Sequence, residues 1–592
     1  MKIDLSRIAT IFTDVEFFLT CVFPETPPEF TGSDAGLAVR SGPQFWAVTS
    51  LSPAHGRGLA HEAGNNDIVF RGYESELSVH TYSDAQALRR LLAPGGLQNG
   101  VFACLKFDRD LQQAVVRSDA LGISPLFYRQ LGKAWLFASH PALLHLEGDA
   151  PDMVYWAGLM QNGLPTADRT FYRDIVRFPA GSEMTLRPGH AETRRWFDFK
   201  ALPAGTRRAD DDTFRAVENA YLAGFERCLR LDAGAVTLPF SSGYDSRRFF
   251  GTLVRKQVPF KAVTCQTFHR KNGEDYDLDL QYAPKIAAAF GVDCDLVHAT
   301  APEHMEQDAR RRQNLVGTET FMHAWVLPMM RWLAARPPSL VFDGLAGDNL
   351  GNTGFMYDGL HETPERDAEV LLGEASNPAM RAQLSALFPD SDEFRRQYRA
   401  YLGQFATNLN QVELAYLESR TRRCISPSIT MMHPPGHVVV FPYCDLDFVR
   451  AALQVHPGDK YRHVLQKECL RRFYPEFYDF HGTRNIPKDH APLDPGVRHA
   501  RERASQNFLY GDPAVVREAL PYLSWPNRML LLASRFLPSL RRRRGWVFEP
   551  LLQLVRTRRE APTFIDRNAA PSSRSGAAGK EAAIETLKSS VA

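Results

Sequence analysis

The sequence predicts an α/β chain with two units in tandem. A layered, strand-rich domain fills residues 1–205, and a doubly wound parallel-sheet domain fills 206–500. Three observations predict this. Short alternating runs between Gly100 and Ser139, broken by turn residues, read as a meander of strands. From about Asp210, short apolar runs alternate with segments of helical spacing, as a parallel sheet covered by helices requires. Finally, the apolar run from Val236 passes through a tight small-residue loop into a helix start. Open α/β sheets hold ligands at such loops, beyond the carboxyl ends of strands.

Taken in order, Asp84-Ala-Gln-Ala-Leu-Arg-Arg-Leu-Leu has helical spacing and stops at Gly95-Gly96. Gly100–Asp108 alternates like a half-buried strand, and Ala114–Asp119 is a second. Gly122-Ile-Ser-Pro125 is a turn, and Leu126–Tyr128 and Trp135–Ser139 are further strands. In the second unit, Thr213–Leu229 is an amphipathic helix leading into the Val236 strand. Lys261–Phe268 and Cys294–His298 are strands, and the helix from Asp279 runs through Pro284 to Gly291. Residues 501–562 read as a basic helical extension, and the Ala/Ser/Gly/Lys-rich stretch 563–592 as a disordered tail.

Bulk properties exclude several classes. The 592 residues are 44% hydrophobic and 23% charged, as in soluble globular proteins. A net charge of +2 gives no reason to expect nucleic acid. The eight cysteines are scattered with no Cys-x-x-Cys, which argues against zinc, a redox pair or a disulfide framework. Asp14 and Glu16 interrupt the first apolar run, so no signal peptide is expected, and no stretch of about 18 apolar residues suggests a membrane span. A cytoplasmic protein is expected, with homo-oligomers compatible. For the basic helical extension, a solvated helix face is the ordinary reading, and contact with an acidic partner or anionic lipid the alternative.

Two loops carry candidate chemistry. In Ser241-Ser-Gly-Tyr-Asp-Ser246, the backbone of Ser241, Ser242 and Gly243 can approach an anion at a helix N-terminus. Asp245 can hold magnesium and Ser246 can donate to a phosphate oxygen. An ordinary strand–turn–helix with a Ser cap explains the loop equally well. It is not a Walker A loop, because no Gly-Lys-Ser/Thr follows. The second loop, Asp343-Gly-Leu-Ala-Gly-Asp348, follows the apolar strand Ser339–Phe342 and is Gly-rich with an acid, Asp348, which an ordinary Asx-turn also explains.

The first loop resembles the Ser-Gly-Gly-x-Asp-Ser loop of PP-loop ATP pyrophosphatases. Other segments resemble the asparagine synthetase family, in the same order along the chain. Gly100, Phe102, Ala103 and Asp108, then Arg117, Asp119, Gly122, Pro125, Leu126 and Tyr128, then Phe137-Ala-Ser139 match passages of its glutaminase domain. Arg169–Gly181 and Arg195-Trp-Phe look like its linker, and Gly344, Gly347 and Asp348 like its second acidic loop. Pro442-Tyr-Cys-Asp445 and Lys467-Glu-Cys-Leu-Arg resemble later motifs.

The resemblance implies an Ntn-hydrolase-like layered αββα domain followed by a PP-loop (adenine nucleotide α-hydrolase-like) domain. It implies ATP and Mg2+ as cofactors, with Ser241, Ser242, Gly243, Asp245, Ser246, Thr264 and Gly344 around the nucleotide and Asp245 and Asp348 on the metal. Lys467, Lys488 or Arg484 would offset pyrophosphate charge. The implied activity is amide-bond formation between a small-molecule or peptide carboxylate and ammonia or an amine, through an acyl-adenylate. Asparagine synthesis from free ammonia and a non-catalytic scaffold are the alternatives. Four departures stand out: Lys2 where the glutaminase has its N-terminal cysteine, Ser242 for Gly, Leu345 where the synthetase has an acid, and Asn349 for Glu. The first implies a first domain without glutamine hydrolysis, and the other three, in the second domain, favour the scaffold alternative.

Overall fold

The computed structural model describes residues 1–92, 98–162, 168–271, 274–320, 325–351, 390–482 and 492–566. Two antiparallel sheets make the first unit. One runs in the order His190–Arg195, Ser182–Arg187, Gln113–Ser118, Gly100–Asp108, Asn66–Glu74, Ala60–Ala63. The other runs Val176–Arg177, Phe127–Leu131, Ala134–Ala138, Phe18–Val22, Phe45–Ser50, Leu37–Ser41. The alternation of Gly100–Asp108 explains the layering. Val101, Ala103, Leu105 and Phe107 enter the main core, where the Phe107 ring lies 5.8 Å from Phe23 and 5.9 Å from Phe45. Phe102 and Cys104 point the other way and pack with Ile68, Phe70, Leu88 and Leu91. Leu88 and Leu91 belong to the predicted helix, here Ala85–Leu88 capped by Asp84 (2.7 Å to the Ala87 amide) and continued by the tighter turn Arg89–Leu92.

The second unit is a five-stranded, wholly parallel sheet. Its order is Cys294–Val297, Phe260–Cys265, Ala235–Pro239, Ser339–Phe342, Val438–Val440. The chain builds outward from Ala235–Pro239 in one direction, then returns to add the last two strands on its other side. The order therefore reverses between Ala235–Pro239 and Ser339–Phe342. Helix Asp211–Leu229, capped by Asp210 (2.7 Å to the Thr213 amide), buries Phe214, Val217, Tyr221 and Phe225. Helix Tyr244–Arg255 is pinned by Phe250 stacking on Phe240 at 4.5 Å and Phe249 on Tyr443 at 4.7 Å. Helix Leu278–Ala289 runs through Pro284, and Gly291 takes the left-handed position that ends it, with φ +69°.

Two sequence boundaries need correction. The division at residue 500 falls inside helix Pro495–Tyr510, whose start is fixed by Pro495 and by Asp494 accepting from the Gly496 amide at 2.8 Å. The tail was expected from Thr563, but Phe564 and Ile565 are buried, and Ile565–Asp566 pairs antiparallel with Lys2–Ile3. Residues 567–592 lie outside the described residues. Among the described residues, no helix is long and apolar enough to cross a membrane.

Candidate functional site

The loop after Ala235–Pro239 is closed on itself by serine hydroxyls. Ser246 Oγ donates to the Ser241 carbonyl at 2.9 Å and lies 2.9 Å from Ser241 Oγ, which accepts from the Gly243 amide at 3.2 Å. Gly243 opens helix Tyr244–Arg255 without a side-chain cap. Ser242 departs from the anion-binding role expected of it. It is buried, and its amide and hydroxyl donate to Asp279 Oδ1 at 2.8 and 2.9 Å. The other Asp279 oxygen accepts from Thr267 Oγ1 at 2.6 Å and lies 3.0 Å from His269 Nε2. Burial pushes the Asp279 carboxyl up, but His269, Thr267 and the Ser242 amide outweigh it and hold it below the usual carboxylate range. Sequence reasoning missed this four-residue cluster. Its only signal was an acid opening a helix shortly after a Thr-x-His, which reads as a cap.

Arg247 and Arg248, which could have been phosphate ligands or exposed helix residues, are neither. Both are buried. Arg247 donates to the carbonyls of Tyr478 and Phe480 at 3.1 Å, as well as to that of Ser242, fastening the loop to the 477–481 segment. Burial depresses its guanidinium to about 10. Arg248 pairs with Glu218 at 2.6 Å and lies 3.9 Å over the Tyr221 ring.

The second acidic loop lies beside the first because their strands are neighbours in the sheet. Gly347 makes the close approach. A Cβ there would sit 2.7 Å from the Tyr443 ring and 3.0 Å from Asp245 Cγ. The Asp245 carboxyl thus rests against the residue before Asp348, and a Cβ at Gly344 would lie 3.7 Å from Asp245 Cβ. Tyr443 holds the arrangement by donating to the Asp245 carbonyl at 3.2 Å. Ala346 has φ +72°, a conformation that favours glycine. The Asp348 side chain is half exposed, with His463 Nδ1 3.8 Å from its carboxylate. Asn349 turns away, donating to the Glu413 carbonyl at 3.1 Å. Asp343 is half-buried, accepts from the Leu345 amide at 2.9 Å, and is pushed up by desolvation to about 6.

Thr264 is buried near the carboxyl end of Phe260–Cys265, and its hydroxyl has no hydrogen-bond partner among the described residues. Lys467 is exposed on helix Val464–Phe473, whereas its neighbour Gln466 is buried and donates to the Gly347 carbonyl at 3.0 Å. Lys460 is a fastener, buried against Glu413 (3.4 Å) and Asn410 (2.8 Å). Arg484 and Lys488 lie outside the described residues. A cavity of about 270 Å³ opens beside Phe268, between Thr267 and His269 in sequence; Asp275, Leu493, Arg498, Arg501 and Glu502 also line it.

A second polar cluster joins the two units. Glu16, just before the central strand Phe18–Val22, lies 3.0 Å from Arg71 Nε, 3.1 Å from His433 Nε2 and 2.5 Å from the Tyr82 hydroxyl. Burial would push this carboxyl up, but His433, Arg71 and Tyr82 together hold it at about 2. Arg71 also donates to the Thr430 carbonyl, and the Gly436 amide donates to Tyr82 at 2.8 Å, tying the segment before Val438–Val440 to the first unit. The cavity beside it is about 20 Å³, room for one water. All eight cysteines are free, and burial pushes every thiol up.

Residues 72–197 match the model of a glutamine amidotransferase domain. The match covers the greater part of the sandwich, so this part of the chain is amidotransferase-like; it does not single out asparagine synthetases. A search of curated proteins finds no match. Among solved structures, the chain is similar to the glutamine phosphoribosylpyrophosphate amidotransferase from B. subtilis complexed with ADP and GMP. Identity is 12%, TM-score 0.21, covering 58% of this chain and 79% of that one. A structure of the allosteric regulatory enzyme of purine biosynthesis matches at 11% identity and TM-score 0.21, covering 51% of this chain and 72% of that one. TM-scores this low carry no further argument.

Proposed function

We propose that the chain is an ATP-dependent carbon–nitrogen ligase of the asparagine synthetase type, forming AMP and pyrophosphate. The observation that carries the reading is the meeting of the two acidic loops where the strand order reverses, the position at which open α/β sheets take ligands. The residues fit a magnesium-bound nucleotide. Among the described residues no group of three or more His, Cys, Asp or Glu is disposed to hold a metal, but magnesium uses one or two carboxylates and completes its shell with phosphate and water. Asp245 and Asp348 are that pair. Gly243 opens a helix of 12 residues as an N-cap without a side-chain hydrogen bond. The unpartnered Thr264 hydroxyl sits at the end of the adjoining strand.

ATP would supply the good leaving group that turns a carboxylate into an acyl-adenylate. Ser241, Gly243 and Ser246 would bind its phosphates, and Lys467 would offset pyrophosphate charge from the exposed side. The cavity beside Phe268, with charges of both signs, would receive the carboxylate or amine substrate. The first domain would not hydrolyse glutamine. None of its cysteines is placed to become a thiolate, and Glu16 with its partners fills the start of the central strand.

The occupation of the Ser242 amide by Asp279 favours a second reading, a scaffold that no longer takes phosphate at this loop. Thermal unfolding with and without Mg-ATP separates the two. Ligand at about 100 times its Kd adds about 2.7 kcal/mol. A shift in wild type that Asp245→Ala abolishes supports the ligase and opens the search for pyrophosphate release with candidate acids. No shift at millimolar Mg-ATP leaves the scaffold.

A further inference from the structure

The one large apolar stripe on the described surface lies in the C-terminal helices. Trp525, Met529, Leu532 and Phe536 recur at i, i+4, i+7 and i+11 along helix Trp525–Ser534 and the turn after it. They are 72, 50, 37 and 78% exposed. The helix buries Leu531 and Ser534 on its opposite side, so the stripe is an outward face and not a seam of the core. Leu537 extends the apolar surface. Two fully presented aromatic rings on one stripe are a different matter from scattered exposed leucines.

The charge along this stretch of sequence has a single sign. From Ala519 to Phe548 the sequence contains Arg528, Arg535 and Arg541 to Arg544, with no lysine, aspartate or glutamate. The whole chain carries only +2, so positive charge is concentrated here. Arg528 is exposed one turn from Trp525, and the Arg535 guanidinium lies 5.8 Å from the Phe536 ring centroid.

We infer that this face docks on an anionic lipid bilayer, lying in the interface without spanning it. Charge complementarity selects the occupant. Phosphate headgroups meet Arg528 and Arg535 while Trp525, Met529, Leu532 and Phe536 enter the boundary with the acyl chains. Tryptophan suits that boundary, being apolar with one polar edge. An acidic protein would answer the charge, but it would need a shaped groove for two protruding rings, whereas a bilayer accepts them in any register.

The test is sedimentation of the full chain with vesicles of phosphatidylcholine alone or mixed with phosphatidylglycerol, at low and high salt. Trp525→Glu/Phe536→Glu is compared with Leu111→Glu, which alters an exposed leucine on the sandwich. Circular dichroism checks folding, and both sites are exposed enough to tolerate the change. Wild type and Leu111→Glu should partition to anionic vesicles roughly tenfold or more above neutral ones, falling with salt. The double variant should lose that preference. Equal binding to both vesicle types, no binding to the anionic ones, or a double variant that binds like wild type would overturn the inference. So would a wild-type dimer, formed without lipid and abolished by the double substitution, because a second copy would then cover the stripe.

Discussion

The Glu16 cluster and the Asp245–Asp348 crevice are both built around carboxylates, and they treat charge in opposite ways. Glu16 and Arg71 are each 2% exposed and answered inside the protein by His433 and Tyr82. The Asp348 side chain is 49% exposed, with His463 Nδ1 3.8 Å away. The first arrangement fastens two units of the chain; the second leaves a carboxylate turned outward. A charge satisfied within the fold stabilises it, and a charge presented at a strand-order reversal can serve a ligand. The contrast therefore divides carboxylates answered within the fold from one left facing outward.

The largest expected effect breaks the fastener. Glu16→Ala leaves Arg71 buried without its carboxylate and should cost about 3–5 kcal/mol, read as a lower unfolding midpoint. Its pH signature has a definite sign. The Glu16 carboxyl is lowered from 4.5 to about 2, so its stabilisation is present above pH 4.5 and drains away as pH falls toward 2. Glu16→Gln should flatten acid unfolding in that window, and an unchanged acid limb would remove Glu16 from the fastener.

Next comes the crevice. Asp348→Ala should leave apo stability within about 0.5 kcal/mol, since the side chain is half exposed, yet abolish the magnesium-dependent part of any nucleotide-induced shift. A loss of apo stability as large as that at Glu16 would erase the contrast. Asp343 sharpens it, with the opposite pH dependence. Burial raises its carboxyl from 3.8 to about 6, so its contribution is present below pH 3.8 and lost as pH rises through 6. Asp343→Asn should stabilise the protein by about 1–3 kcal/mol at pH 8 and be neutral near pH 4, measured by denaturant unfolding at both. The smallest effect belongs to Lys467→Ala: stability should move by no more than about 0.5 kcal/mol, while the nucleotide-induced shift weakens if this lysine faces pyrophosphate.

What could be read from the sequence was whatever is local. The strand Gly100–Asp108, the run into Ser241 and helix Asp211–Leu229 each carry their own periodicity and caps, and each forms where its pattern placed it. The parallel sheet followed from the alternation of such elements. The Asp245 and Asp348 loops were found because each follows an apolar strand directly. What escaped depends on partners distant in sequence. Ser242 meets Asp279 across 37 residues, and Glu16 meets Arg71 and Tyr82 across 55 and 66. Arg247 and Arg248 looked like surface charge because nothing near them in sequence shows the carbonyls and the carboxylate that bury them.

The pairing of Lys2–Ile3 with Ile565–Asp566 has a consequence in time. The strand Lys2–Asp4 leaves the ribosome before its antiparallel neighbour, which comes more than 550 residues later. At synthesis rates of about 5–20 residues per second, that edge stays open for roughly 30–110 s in every newly made chain. During that interval the backbone donors and acceptors of Lys2–Asp4 on that side are free to pair with a neighbouring nascent chain on the same message. Delivery of Ile565 closes both the sheet and that hazard.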